Sequence, residues 1–384
     1  MVKELILHLG DCKTGTTSIQ EVLSRRSWAS EGSSILYPSR FNAIPLAKSL
    51  NQKGLRQDRM VDELVSQLLK SDAETAIISA ENFEFLPPDK LYEFIHGPLA
   101  RWKNNVRVVS YVRPHAERFL SGFAERSKKG NCRGSLNEFH GSLVKKNLLY
   151  YSPRFAENRK LFGERFTLRP FIRNQLKDED VVADFFDIVL GGASVTFPNR
   201  ADQNETLSLE DLVLFRMIQS QLRALVSKAG NKNDNISAYG AFGWNFAPIL
   251  ASQPAAKKTK LKLHRGLAVK IVAAYAKDAA ALDEMFFDTP LMSERLVAAP
   301  AEAVDMPQSL KPEDYHSPEV LRLAQASAEF YSRMILADPK HFKWATRQEH
   351  VRNAQPPNSA KINDKDKLLT LAAFKNWFLA LTGK

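Results

Sequence analysis

LILHLGDCKTGTTSIQEVL, residues 5–23, runs from five strand-like apolar positions through a glycine loop into a helix with Ile19, Val22 and Leu23 on one face. Strand, glycine loop and helix in that order form the layout of a phosphate-binding loop. The nucleotide-triphosphate version reads G-x-x-x-x-G-K-[ST], with the lysine directly after the second glycine. Gly10 and Gly15 keep this spacing and Thr17 keeps the hydroxyl. Thr16, however, stands in the lysine's place, and Lys13 lies inside the loop. A chain that had merely lost ATP binding would not need a replacement cation.

Further buried-strand patterns follow: TAIISAENF, with apolar residues from Ala76 to Ala80; VRVVSYVRP, with strand residues 106–112 before Arg113 and a proline; and RFTLRPF at 165–171. Between them lie the helical patterns HAERFLSGFAERS, facing inward through Phe119, Leu120 and Phe123, and SPRFAENRKLFG. Alternating strands and helices predict an α/β fold, a P-loop-like three-layer sandwich whose mostly parallel central sheet has helices on both faces. Lys13, Glu81 and Arg113 each fall just beyond the carboxyl end of a predicted strand, where open α/β sheets build their sites.

Beyond residue 200 the sequence gives helices rather than motifs. A helix capped by Ser208 and stopped by Gly230 is expected, then one or two helices over 265–287. A linker composition from Ala298 to Pro318 places the domain boundary at 297/298, dividing a 1–297 domain from a helical extension over 298–384. The last amphipathic stretch, KDKLLTLAAFKNWFLAL, could lie on a membrane, on the protein itself or on a second subunit of a homodimer.

The chain of 384 residues is 44% hydrophobic, enough for a full core. Two cysteines, Cys12 and Cys132, give neither a disulfide framework nor metal-ligand spacing. The first strand begins at once, leaving no room for a cleavable leader, and no run approaches the ~18 apolar residues of a membrane span, so a cytoplasmic protein is expected. With 54 Lys and Arg against 43 Asp and Glu, the net charge of +11 favours anionic partners. The basic clusters at 101–133 and 257–270 lack the interleaved aromatics of a nucleic-acid platform, so no nucleic-acid partner is expected.

The loop HLGDCKTGTTSIQ resembles that of sulfotransferases that use 3′-phosphoadenosine 5′-phosphosulfate (PAPS), in which a lysine and a small residue precede Gly-Thr-Thr. YVRPHAERFLSGF resembles their second motif, with Arg113 and Ser121 at the spacing of the arginine and serine that grip the 3′-phosphate, and Arg118 between them. YYSPRFAENRKLFG is similar to the stretch that follows in the carbohydrate-modifying branch, with Tyr151 and Phe162 in matching places. Cys12 replaces a common proline, and Pro114 comes one position earlier than in the common form. The resemblance covers about residues 5–175. It implies metal-independent, in-line sulfuryl transfer from PAPS to a hydroxyl of a carbohydrate or glycolipid, leaving adenosine 3′,5′-bisphosphate. Lys13, Thr14, Gly15, Thr16, Thr17, Ser18, Arg113 and Ser121 would hold the donor, with Arg265 in a basic covering loop. A sulfuryl group is less charged than a phosphoryl group, so one lysine could suffice at its bridging oxygen.

Transfer needs a general base, and Glu81 is the candidate, with His115 as rival; His8, inside the first strand, reads as a core or supporting histidine. The alternatives are a P-loop nucleotide kinase or NTPase with a degenerate loop, against which the missing lysine counts, and a non-catalytic anion-binding protein.

Overall fold

The computed structural model describes residues 1–347 apart from 31, 52–54, 199–206, 229–232 and 254–257, and gives the backbone alone at 55–57. The described residues include seven strands: β1 (Glu4–His8), β2 (Ala29–Ser30), β3 (Ile35–Leu36), β4 (Thr75–Ser79), β5 (Val106–Val112), β6 (Phe166–Pro170) and β7 (Val195–Thr196). The first eight helices are α1 (Thr16–Arg25), α2 (Ile44–Ser49), α3 (Leu55–Lys70), α4 (Pro88–His96), α5 (His115–Lys128), α6 (Leu136–Lys145), α7 (Ser152–Phe162) and α8 (Val181–Val189). Six more follow, α9 (Leu209–Lys228), α10 (Asn233–Ser252), α11 (Arg265–Phe286), α12 (Leu291–Glu302), α13 (Pro318–Ala337) and α14 (Pro339–Ala345).

Five strands form one all-parallel sheet in the order β3-β4-β1-β5-β6, while β2 and β7 make a separate antiparallel pair. The central β1 is in register with β4 through Ile6 opposite Ile77, and with β5 through Leu5 opposite Val106. Such a sheet needs cover on both faces, and the two-residue alternation of strand side chains supplies two apolar surfaces. Leu5, Leu7, Ile78 and Val108 meet α3, α4, α5, α7 and α11 on one face. Ile6, Ile77, Val109 and Tyr111 meet α1 and α8 on the other, against Ile19, Val22, Phe185 and Phe186. Each such side chain contributes about 1.5–3 kcal/mol when fully buried. A third core, with Phe215, Leu222, Phe242, Ala328 and Ile335, joins α9, α10, α13 and α14.

The four strands expected from sequence are present within a residue of their expected bounds. The fifth, β3, has two residues, too few to show alternation. Ser208 caps α9 as expected, accepting from Asp211 N–H at 3.0 Å, while Gly230 lies outside the described residues. The 265–287 region is a single helix, capped by the His264 side chain. Position 297/298 falls inside α12, and Met1–Arg347 form one compact unit. The amphipathic stretch at 365–381 lies outside the described residues. Among those described, no helix is long and apolar enough to cross a membrane.

The helical core is tied to the sheet core through the end of α5. Arg216 of α9 donates to the Ser127 hydroxyl and to the carbonyls of Cys132, Arg133 and Gly134, and Gln219 donates to Lys128 O. Gly243 of α10 passes so close that a Cβ there would overlap Lys128 O and the Gln219 amide. Gly243→Ala should therefore lower stability by about 1–3 kcal/mol or more, because neither backbone nor amide can retreat. Urea midpoints of the two proteins measure this; equal midpoints would mean that the approach is not tight.

Candidate functional site

The β1–α1 loop is shaped by three positive φ angles: Gly10 at 49°, Lys13 at 69° and Gly15 at 78°. Cβ atoms at the glycines would come within 2.8 Å of Thr16 Cγ2 and 2.6 Å of Val181 Cγ1 respectively, so both positions require glycine. Lys13 has a side chain in the same region and costs about 1–2 kcal/mol there. The Thr14 hydroxyl donates to Asp11 O at 2.6 Å, and the Thr16 hydroxyl lies 3.5 Å from the same oxygen. Both side chains therefore brace the turn. Thr17 is exposed and Ser18 half-buried in the first turn of α1.

Among the described residues, the N–H groups of Lys13, Thr14, Gly15, Thr16 and Thr17 donate to no protein acceptor. Five successive free donors on a backbone of mixed hand make a concavity for an anion. The amino end of α1 adds about half a positive charge.

Two buried ion pairs support the turn. Arg154 of α7 holds Asp11 through bonds of 2.8 and 2.5 Å, and Asp11 is 1% exposed. Burial pushes the Asp11 carboxyl up against the pull of Arg154, which Asp11 in turn keeps firmly charged. Glu84 accepts from Cys12 N–H at 2.9 Å and pairs with Arg118 at 3.5 Å. Burial raises the Glu84 carboxyl, but Arg118 and Arg154 outweigh it and hold the group below the usual carboxylate range. The Cys12 thiol is pushed up by burial and by the Glu84 and Glu81 carboxylates, which disfavours its thiolate.

The ammonium of Lys13 lies 3.4 Å from Glu125, which also takes Lys129 at 2.8 Å. Burial raises the Glu125 carboxyl, yet Lys13 and Lys129 together hold it low. Glu81, first residue after β4 and Ala80, behaves in the opposite way. Its carboxyl is raised by burial, with Lys129 opposing and Glu125 reinforcing the shift. Lys128 is lowered by burial and by the neighbouring Lys13.

Arg113 donates to Lys13 O at 3.1 Å and lies over the Phe171 ring. Ser121, half-buried, shares one face of α5 with Arg118 and Glu125 through the three- and four-residue spacing. Arg113 Nε, Arg118 Nε and the Tyr151 hydroxyl are buried without a hydrogen-bond partner among the described residues, although Arg113 Nε lies 3.8 Å from Glu117, and Arg118 and Tyr151 both act electrostatically on Arg113. Their convergence beside the loop is a second set of open donors.

Other expected residues serve the frame. His115 is fully buried, donates to Asp278 at 2.9 Å and stacks near Tyr275, so it cannot reach an acceptor hydroxyl. His8 bonds Ser79 at 2.9 Å and burial lowers it to about 3, leaving a neutral core imidazole. Phe162 ends α7 inside the core. Arg265 does not join the group. It is 62% exposed and pairs with Asp305 at 2.8 Å, about 20 Å along α11 from Asp278, the residue of that helix bonded to His115 and Tyr151.

The sequence reading missed Asp11, Glu84, Glu125 and Arg154. Arg154 lies within a quoted motif, but nothing in its spacing announces a partner 143 residues away. No protein-family model matches the chain, and comparisons with curated proteins and with solved structures return no match.

Arg154→Met should cost about 3–5 kcal/mol by leaving Asp11 charged and buried, whereas the double change with Asp11→Leu should recover most of that loss. Denaturant titration at pH 7 measures both. A single variant as stable as the wild type would mean that the pair does not support the loop.

Proposed function

We propose that this protein transfers a sulfuryl group from PAPS to a hydroxyl of a carbohydrate or glycolipid, using a P-loop-like site at the carboxyl edge of the sheet. The observation that carries this reading is the 3.1 Å bond from Arg113 to Lys13 O, which joins two sequence motifs one hundred residues apart. The residues fit the donor's two anionic ends. The free N–H groups from Lys13 to Thr17 suit its 5′ end, and the open donors of Arg113, Arg118 and Tyr151, with Ser121 nearby, suit its 3′-phosphate. Thr14 and Thr16 would contribute backbone rather than hydroxyls, which are already engaged.

PAPS supplies an activated sulfuryl group on a phosphate leaving group. Lys13 meets the negative charge that grows on the bridging oxygen as the S–O bond breaks. Its long 3.4 Å contact with Glu125 is a modest tether to exchange for a stronger anion. Glu81 removes the proton of the acceptor hydroxyl as the new O–S bond forms. A carboxyl raised by burial is a stronger base than an ordinary one and better matched to neutral pH.

Calorimetry should show tight binding of adenosine 3′,5′-bisphosphate and little of Mg-ATP. Preference for ATP would point to a kinase, and binding of neither would remove the nucleotide reading. Lys13→Ala should lower transfer by about 10²–10³-fold with unchanged unfolding, as for loss of one charge-stabilising donor. Near-normal turnover would exclude Lys13 from the chemistry.

The base must be ionised, so activity should fall as pH drops through the raised Glu81 value. The acid limb of kcat/KM should lie above the ordinary glutamate value of about 4.3. Glu81→Gln should leave a low rate without that limb; retention of the limb would assign it to another group.

A further inference from the structure

Past the chemical group the site continues onto α10. Glu125, which holds Lys13 at 3.4 Å, holds Lys129 at 2.8 Å, and the Lys129 ammonium lies 4.6 Å from the centroid of the Trp244 ring. Lys129 is also the largest charged influence on Glu81. One unbroken series of contacts thus leads from the loop lysine to an indole. Trp244 is 42% exposed, unlike the aromatic residues Phe242 and Phe246 on the same helix, which pack into the core. Its neighbour Gly243 lies against Lys128 O, which brings α10 close to the end of α5.

We infer that Trp244 is the platform on which the acceptor's pyranose ring lies, at the rim of the site that Glu81 serves. The inference rests on the sulfuryl-transfer reading. A pyranose has an apolar C–H face and a periphery of hydroxyls, each both donor and hydrogen-bond acceptor. An indole carrying an ammonium that is itself paired with a carboxylate matches that mixture: the ring covers the apolar face, Lys129 donates and Glu125 accepts. A simple phenol would use the ring but leave the charged groups without hydroxyls to bond.

The test uses the full chain saturated with adenosine 3′,5′-bisphosphate on an array of hexose, hexosamine and uronate oligosaccharides, with p-nitrophenol as a competitor. Wild type should be retained by at least one sugar class. Trp244→Ala should weaken retention about tenfold or more and Trp244→Phe far less, since the flat ring is kept. Calorimetric affinity for the bisphosphate should be the same in all three proteins. Retention of no sugar, equal retention of Trp244→Ala, or displacement of bound sugar by p-nitrophenol but not by free sugar overturns the platform. Loss of bisphosphate affinity in Trp244→Ala also overturns it, by placing the indole on the donor side. Failure of wild type to bind the bisphosphate is a different result and removes the sulfuryl-transfer reading itself.

Discussion

Asp11 sits with its carboxylate almost wholly out of water, and the two-pronged guanidinium of Arg154 makes that burial tolerable. Much else follows from this pair. The backbone oxygen of Asp11 receives the Thr14 hydroxyl, which helps hold the chain in the positive-φ turn at Lys13 and Gly15. Arg154 also lowers Glu84, which fixes the Cys12 amide and pairs with Arg118. A turn so anchored can leave successive amides facing outward without collapsing on them.

The charges around the loop divide into a lower and an upper set. The lower set, Asp11, Arg154, Glu84 and Arg118, is close to balanced and nearly dry, so it fixes shape. The upper set, Lys13, Glu125, Lys129 and Glu81, has its ammonium groups partly in water, so its members can change partners. Rigid support below and exchangeable charge above is the division of labour that a reactive site needs.

The sheet was legible because its strands are short apolar runs that end in loop and helix signals, and Gly10 and Gly15 mark a turn by a steric requirement that survives in any context. Lys13, Glu81 and Arg113 were found by their place after strands. Glu125 was not, because on α5 it looks like any solvated helix residue until Lys13 is folded over it. Arg265 was placed by its basic neighbours, a feature that surface helices share, and Asp305 satisfies it instead. His115 looked available because it lies inside the second motif; Asp278, from a helix more than 160 residues later, accounts for its proton. Charge pairing between distant segments leaves no periodic trace, whereas strand ends and glycine turns do.

Asp278 accepts from His115 and from the amides of Tyr151 and Ser152, as well as from the Ser152 hydroxyl. A chain shortened to end before residue 265 would keep every motif of the first half yet strand those donors at the start of α7, the helix that delivers Arg154 to Asp11. The autonomous folding unit thus extends well past the last recognisable motif, and the second half acts as an internal scaffold for the first.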